Sequence, residues 1–191
     1  MSDRKEGIRV AGVAGSLRQG SYNRALLRAA RELAPEGMEI RIFDRLGEIP
    51  LFNTDVEAEA DPEPVTALKE AIREADALLV VTPEYNYSVP GVLKNAIDWA
   101  SRPPRDSVLI EKPAAIMGAS AGAFGTARAQ MHLRQSFVFT RTLVMPSPEV
   151  LIPRAGEKFD EEGRLTDEKT RGFVRQQLEA LAAWIERVRT G

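Results

Sequence analysis

Ile8-Arg9-Val10-Ala11-Gly12-Val13-Ala14-Gly15-Ser16-Leu17-Arg18-Gln19-Gly20-Ser21-Tyr22-Asn23-Arg24 is the stretch that decides the fold. Residues 8–13 are a short apolar run of strand type, Gly15 breaks it, and a loop of Ser, Arg, Gly and Asn follows. A helical pattern then begins, with Leu26, Leu27, Ala30 and Leu33 on one side. A strand, a turn of small residues and a helix start bring free backbone N–H groups and the positive end of a helix dipole to one point. That is the arrangement that holds a phosphate. Ser16, Ser21 and Asn23 add neutral donors, and Arg18 can give a forked, charge-assisted pair of hydrogen bonds.

Three kinds of phosphate loop must be separated. The ATP-binding kind needs Gly, four residues, then Gly-Lys-Ser/Thr. Gly15 and Gly20 have that spacing, but Ser21 stands in place of the Lys and Tyr22 in place of the magnesium-binding hydroxyl. The dinucleotide fingerprint needs Gly-x-Gly-x-x-Gly, and Gly12-x-x-Gly15 lacks its first pair. What remains is a loop of hydroxyls and amides with one Arg, suited to a phosphate monoester without a metal, as in flavin mononucleotide. The plainer alternative is an ordinary strand-to-helix turn with a Ser N-cap and no ligand.

Outward from this stretch, strand and helix periods alternate. Residues 22–33 read as an amphipathic helix ended by Pro35 and Gly37, and residues 38–43 as a second strand. Residues 46–64, with three prolines and many acids, read as a long loop. Val65, Leu68, Ile72 and Ala75 mark a helix, and residues 77–82 form a continuous apolar run of the central parallel-strand type. A helix carrying Val89, Leu93, Ala96, Ile97 and Ala100 follows, then a fourth strand over 113–118 and a mixed-face helix over 126–140. Residues 143–145, with 150–152, supply a fifth strand, and a final helix opens at Thr166 as N-cap. Five strands alternating with five helices predict a single α/β domain over 1–191, with a doubly wound parallel sheet. Right-handed crossovers put the loops after strands one, three and four on one edge.

The totals fit this reading. A chain of 191 residues, 43% apolar and 28% charged, is long enough to bury a sizeable core. The formal net charge of −2, with no dense Lys/Arg window, argues against nucleic-acid or membrane-surface binding. The absence of cysteine excludes disulfides, thiol redox chemistry and zinc–thiolate sites. The first six residues lack the apolar core of a signal peptide and no apolar run reaches membrane-spanning length, so a cytoplasmic location is expected. His132, the one histidine, is expected to be structural or solvent-facing.

Both remaining loops on that edge are chemically unusual. Pro83-Glu84-Tyr85-Asn86-Tyr87-Ser88-Val89-Pro90-Gly91 offers a flat aromatic wall with hydrogen-bonding edges, as an isoalloxazine ring requires. Tyrosines covering the core and Pro90 opening a helix are the bland alternative. Gly118-Ala119-Ser120-Ala121-Gly122-Ala123-Phe124-Gly125-Thr126 lets a ligand approach the backbone closely, with Ser120 as a donor and Phe124 at the entrance.

Three motifs together carry a family resemblance over almost the whole chain. They are Gly15-Ser16-Leu17-Arg18-x-Gly20-Ser21-x-Asn23, the run Pro83-Glu84-Tyr85-Asn86-x-Ser88-x-Pro90-Gly91-x-Leu93-Lys94-Asn95-Ala96-x-Asp98-Trp99, and Gly118-Ala119-Ser120-x-Gly122 with Gly125. With them the sequence resembles the NADPH-dependent FMN reductases, a flavodoxin-like group that includes chromate and quinone reductases and some azoreductases. The resemblance implies a three-layer flavodoxin-like sandwich with a five-stranded parallel sheet of order 2-1-3-4-5. It implies FMN as cofactor and NADPH, or NADH, as co-substrate. Ser16, Arg18, Ser21 and Asn23 would contact the phosphate, Tyr22 would join them in binding the cofactor, Pro83, Glu84, Tyr85 and Asn86 would contact the ring and ribityl chain, and Ser120 and Gly122 the far edge of the flavin. No side chain would act as nucleophile or general base, and no metal ligands are expected.

In that scheme a reduced nicotinamide gives hydride to the flavin, and a small-molecule acceptor such as a quinone, chromate, an azo or nitro compound, or free flavin takes the electrons. Arg102 and Arg105 are candidates for a 2′-phosphate contact, and Lys94, Asn95 and Asp98 are expected on a solvated face. The family implies a homodimer or homotetramer, for which the apolar residues of 127–139 supply a surface. Two alternatives stand beside the enzyme: a non-enzymatic electron carrier of flavodoxin type, disfavoured by the near-neutral charge, and a flavin-free ligand-sensing module.

Overall fold

The computed structural model describes residues 7–190; the reading of the N-terminus as lacking a signal peptide falls on residues 1–6 and lies outside them. Strand β1 (Ile8–Ala14) leads through the phosphate-type loop into helix α1 (Tyr22–Glu32), and β2 (Met38–Phe43) follows. Next come α2 (Thr54–Glu59), α3 (Glu63–Glu74), β3 (Ala77–Val81), α4 (Gly91–Ala100), β4 (Pro113–Ala119) and α5 (Ala127–Phe139). The chain ends with β5 (Leu143–Val144), β6 (Val150–Ile152) and α6 (Glu168–Arg189). The sheet is parallel in the order β2-β1-β3-β4-β5, as expected, with β6 also pairing with β4.

Period-two alternation in buried strands divides the core into two. Leu79 and Val81 of β3 and Ala115, Met117 and Ala119 of β4 face Leu26 and Leu27 of α1 and Val174, Leu178, Leu181 and Ile185 of α6. Their neighbours Leu78, Val80, Ala114 and Ile116 face Val65 and Leu68 of α3, Leu93, Ile97 and Trp99 of α4, and Leu133 and Phe137 of α5. Both sheet faces are thus dry, which is why these strands read as unbroken apolar runs.

The fifth strand position is filled in two pieces. Leu143 and Val144 pair with Pro113 and Ala114, whereas Val150, Leu151 and Ile152 pair with Met117, Gly118 and Ala119. At the break, the buried amide of Gln177 donates to the carbonyls of Ile116 (2.9 Å) and Pro148 (2.8 Å), supplying hydrogen bonds that a continuous strand would have made.

Three local expectations are corrected. Residues 46–64 are not a bare loop: they contain a short 3-10 turn (Leu46–Glu48) and α2. Asn95 is not on a solvated face, because its amide binds the backbone N–H of Phe52 (2.8 Å) and the carbonyl of Pro50 (2.9 Å). Trp99 Nε1 donates to the same carbonyl at 2.8 Å, so two residues of α4 pin the segment before α2. The N-cap of α6 is Asp167 rather than Thr166; its carboxylate accepts from the Thr170 N–H at 2.9 Å. Lys94 and Asp98 do face solvent, as an i,i+4 ion pair of 2.6 Å.

Candidate functional site

The loops after β1, β3 and β4 meet at the carboxyl edge of the sheet, beside the switch in strand order between β1 and β3. In the first loop, Gly15 N–H still belongs to the sheet, donating to Val81 O at 2.9 Å. Beyond it, none of the backbone N–H groups of residues 16–22 donates to an acceptor among the described residues. They sit at the start of α1, whose first turn holds no acidic residue. A run of free N–H groups on a helix N-terminus is a receptor for an anion.

The sequence-expected residues of this loop take different parts. Ser16 is buried and its Oγ lies 3.4 Å from Tyr85 Oη, linking the first loop to the second. Arg18 is exposed and pairs with no carboxylate among the described residues. Ser21 is the N-cap of α1: its Oγ accepts from the N–H of Asn23 (3.2 Å) and of Arg24 (3.4 Å), leaving its own O–H to donate. Tyr22 is tucked against Phe159, with ring centroids 5.5 Å apart. Asn23 is buried and turned to the sheet. Its Nδ2 donates to Ala119 O and its Oδ1 accepts from Ala119 N, both at 2.9 Å. Only one amide hydrogen of Asn23 remains for a ligand.

The second loop turns tightly at Asn86 and Tyr87, between paired backbone bonds from Tyr85 to Ser88 (3.0 Å) and back (2.9 Å). Both turn residues have positive φ, +48° and +66°. Asn tolerates that conformation but Tyr does so reluctantly, at a cost of order 1 kcal/mol that the surroundings must offset. They do: the Arg128 guanidinium lies 3.7 Å from the centre of the Tyr87 ring and 4.5 Å from that of Phe124 in the third loop. The Glu84 carboxylate fixes Arg128 in turn. It accepts from Arg128 Nε (2.7 Å) and from the N–H groups of Arg128 (3.0 Å) and Ala129 (3.2 Å). Glu84 therefore caps α5 from another part of the chain, a task that its own N-cap residue, Thr126, leaves undone.

Pro83 is buried against the sheet edge, while Tyr85 and Asn86 are exposed. With Tyr85 N–H taken by Ser88, the N–H groups of Glu84, Asn86 and Tyr87 meet no acceptor among the described residues. In the third loop Ser120 N–H is bonded to Ile152 O (2.9 Å), and its Oγ accepts from Gly122 N–H (3.1 Å). A Cβ on Gly118 would strike the Thr126 hydroxyl and the Thr82 carbonyl, so only glycine lets α5 start this close to β4.

The structure thus ties the second loop to its neighbours by bonds the sequence did not reveal: Tyr85 with Ser16 of the first loop, and, on α5, Glu84 with Arg128 and Ser88 Oγ with His132 Nδ1 at 2.9 Å. Arg128 was missed because its partners lie far from it in sequence; the signal available was an acidic Glu84 in an otherwise neutral loop. Arg102 is committed elsewhere, with its Nε 3.0 Å from both Glu57 carboxylate oxygens, which removes it as a free 2′-phosphate ligand.

An anion receptor at one end, a wall of exposed aromatic rings at the other and close backbone approach between them fit a phosphorylated planar cofactor. Fold and site define a flavodoxin-like flavoprotein. The family model for NADPH-dependent FMN reductase matches residues 8–157, and the chain belongs to that family. It is 57% identical to an NAD(P)H-dependent FMN reductase of Pseudomonas aeruginosa, over 95% of this chain and 97% of the relative. It is 48% identical to a quinone reductase of Pseudomonas putida, over 93% and 94% of the two chains. Among solved structures it resembles the flavoenzyme NAD(P)H:(acceptor) oxidoreductase FerB of Paracoccus denitrificans, with TM-score 0.86, 40% identity and 94% and 98% coverage. The protein is accordingly an FMN-dependent NAD(P)H oxidoreductase. The enzyme reading prevails over the electron carrier and the flavin-free module.

Proposed function

We propose that residues 15–23 hold the FMN phosphate, that residues 83–86 and 120–122 border the ring, and that a quinone takes the electrons. The observation that carries this is the run of N–H groups over residues 16–22 that meet no acceptor among the described residues, beside Arg18, which pairs with no carboxylate there. Neutral donors and one guanidinium suit a phosphate monoester, which needs no metal here.

The chemistry that bound FMN would supply is two-electron transfer from a reduced nicotinamide to the acceptor. The chain's own residues bind and orient. Ser16, Arg18 and the Ser21 hydroxyl donate to the phosphate, with Asn23 holding the loop and keeping one amide hydrogen for it. Tyr22, packed on Phe159, sets the direction of the helix start. The free N–H groups of Glu84 and Asn86 and the Ser120 hydroxyl donate where negative charge gathers on the ring, while Pro83, Tyr85 and Gly122 shape its rim. Exposed Tyr85, Tyr87 and Phe124 leave an open aromatic surface suited to a flat quinone. Quinone reductases among the relatives support that acceptor class.

A homodimer or homotetramer is part of the same reading. On α5, which starts at the third loop and runs back along the sheet, Met131 (61% exposed), Val138 (77%) and Phe139 (81%) leave apolar side chains in water. Among the described residues no helix is long and apolar enough to cross a membrane, and a cytoplasmic location suits a reductase fed by NAD(P)H. Anaerobic titration with NADPH tests the whole: bound FMN should lose its visible absorbance and regain it on adding a quinone. An unchanged spectrum sinks the reading.

A further inference from the structure

Five arginines and no acidic residue occur between positions 7 and 31, in a chain whose net charge is −2. Linear spacing hides the cluster. Helix α1 gathers it, because Arg24, Arg28 and Arg31 stand at i, i+4 and i+7 and line one cleft of about 280 Å³. The cleft lies at the carboxyl ends of β1 and β2, floored by Leu27, Ile42 and Phe43, with Asp44 on its wall and Ser16 shared with the phosphate loop.

A solvated helix face is the simple alternative, and the shared cleft with its apolar floor argues against it. Ten other arginines pair with carboxylates among the described residues and six do not. Arg24, Arg28 and Arg31 pair with none there, although Asp44 lines the same cleft. Three guanidiniums against one carboxylate leave a net positive hollow with an apolar floor. That combination suits a phosphate dianion attached to a flat, weakly polar group.

We propose that this cleft is a second phosphate site, distinct from the one for FMN, and that it takes the 2′-phosphate end of NADPH. The assignment of the dinucleotide rests on the flavin-site reading above. Arg28 and Arg31 clasp the 2′-phosphate as a nearby Arg does in other NADP-binding folds, the base lies on Ile42 and Phe43, and Asp44 is left to accept from the neighbouring 3′-hydroxyl of the same ribose. From β2 to the loops after β3 and β4 is two to three strand spacings, roughly 10–14 Å, a gap that an extended dinucleotide spans. Discrimination of NADPH from NADH thus falls to α1, a part of the chain remote from the aromatic wall.

Calorimetric titration of FMN-saturated protein decides it, with 2′,5′-ADP, 5′-AMP and inorganic phosphate as probes. Wild type should bind 2′,5′-ADP at least roughly tenfold more tightly than either other probe, and Arg28→Ala/Arg31→Ala should lose roughly tenfold or more of that affinity. Arg28→Lys/Arg31→Lys should fall between, since the charge remains but the fork is lost. In turnover, KM for NADPH should rise in the alanine variant while KM for NADH stays. Equal 2′,5′-ADP affinity in wild type and the alanine variant overturns the proposal, as does inorganic phosphate binding as tightly as 2′,5′-ADP. The titration needs no turnover, so wild type that failed to oxidise NADPH would count against the flavin-site reading while the cleft was still measured.

Discussion

The side-chain amide of Asn23 and the backbone of Ala119 exchange two hydrogen bonds of 2.9 Å, Nδ2 to carbonyl and N–H to Oδ1. The start of α1 is thereby bolted to the end of β4, and with it the first loop to the third. Asn23→Ala should leave two buried backbone groups without partners, a loss of about 2–4 kcal/mol. In a chain this size that is a fall in Tm of roughly 5–15 °C. Thermal denaturation followed by circular dichroism checks it, and an unchanged Tm would show the bolt to be dispensable.

Arg18, by contrast, is exposed and makes no ion pair among the described residues, so its removal leaves the fold alone. Arg18→Ala should raise the dissociation constant for FMN roughly tenfold or more, as expected for one charge-assisted pair of bonds. Flavin fluorescence quenching on titrating apoprotein measures it, with Tm unchanged as the control.

Glu84 has two duties, to cap α5 and to hold Arg128 between two rings. Glu84→Gln keeps acceptors for the N–H groups of Arg128 and Ala129 but loses the charge, whereas Glu84→Ala loses both. Stability should fall in the order wild type, Gln, Ala, with the alanine variant lower by about 1–3 kcal/mol. Denaturant unfolding gives the order. In the alanine variant Tyr87 loses the ring contact that offsets its positive φ, so the second loop should also show faster hydrogen exchange than in wild type.

Asp167 supplies the pH-dependent element. Hydrogen bonds from the Thr170 hydroxyl and N–H, with Lys158 beside it, hold its carboxyl down at about 2, against an ordinary 3.8. A folded value below the unfolded one means that its contribution is fully present above pH ~4 and is lost as pH falls toward 2. Asp167→Ala should therefore melt roughly 2–4 °C below wild type at pH 7, as for loss of one helix cap. The gap should close as the melts are repeated at lower pH; a constant gap would assign it to packing instead.

The strands were legible because both faces of the sheet are dry, so β3 and β4 announce themselves as apolar runs. Loop chemistry was legible for the same reason that it is unusual: Arg18, Asn23, Glu84 and Tyr85 are out of character beside buried strands. What the sequence concealed is who meets whom. Glu84 and Arg128 are 44 positions apart and Asn23 and Ala119 are 96 apart, and no periodicity encodes such pairs. Segment 46–64 was obscured by its prolines and acids, since α2 is only six residues long and buries no side chain. The arginine row on α1 escaped a window count because its members are neighbours only once the helix winds.

The division of the last strand into β5 and β6 has a bearing on solubility. A sheet that ends in one long straight strand offers its outer rim as a template for strands of other copies. Here that rim is interrupted between Val144 and Val150, and the carbonyl of Ile116 is already claimed by Gln177. That broken rim withholds the template on which strand-on-strand growth into fibres depends.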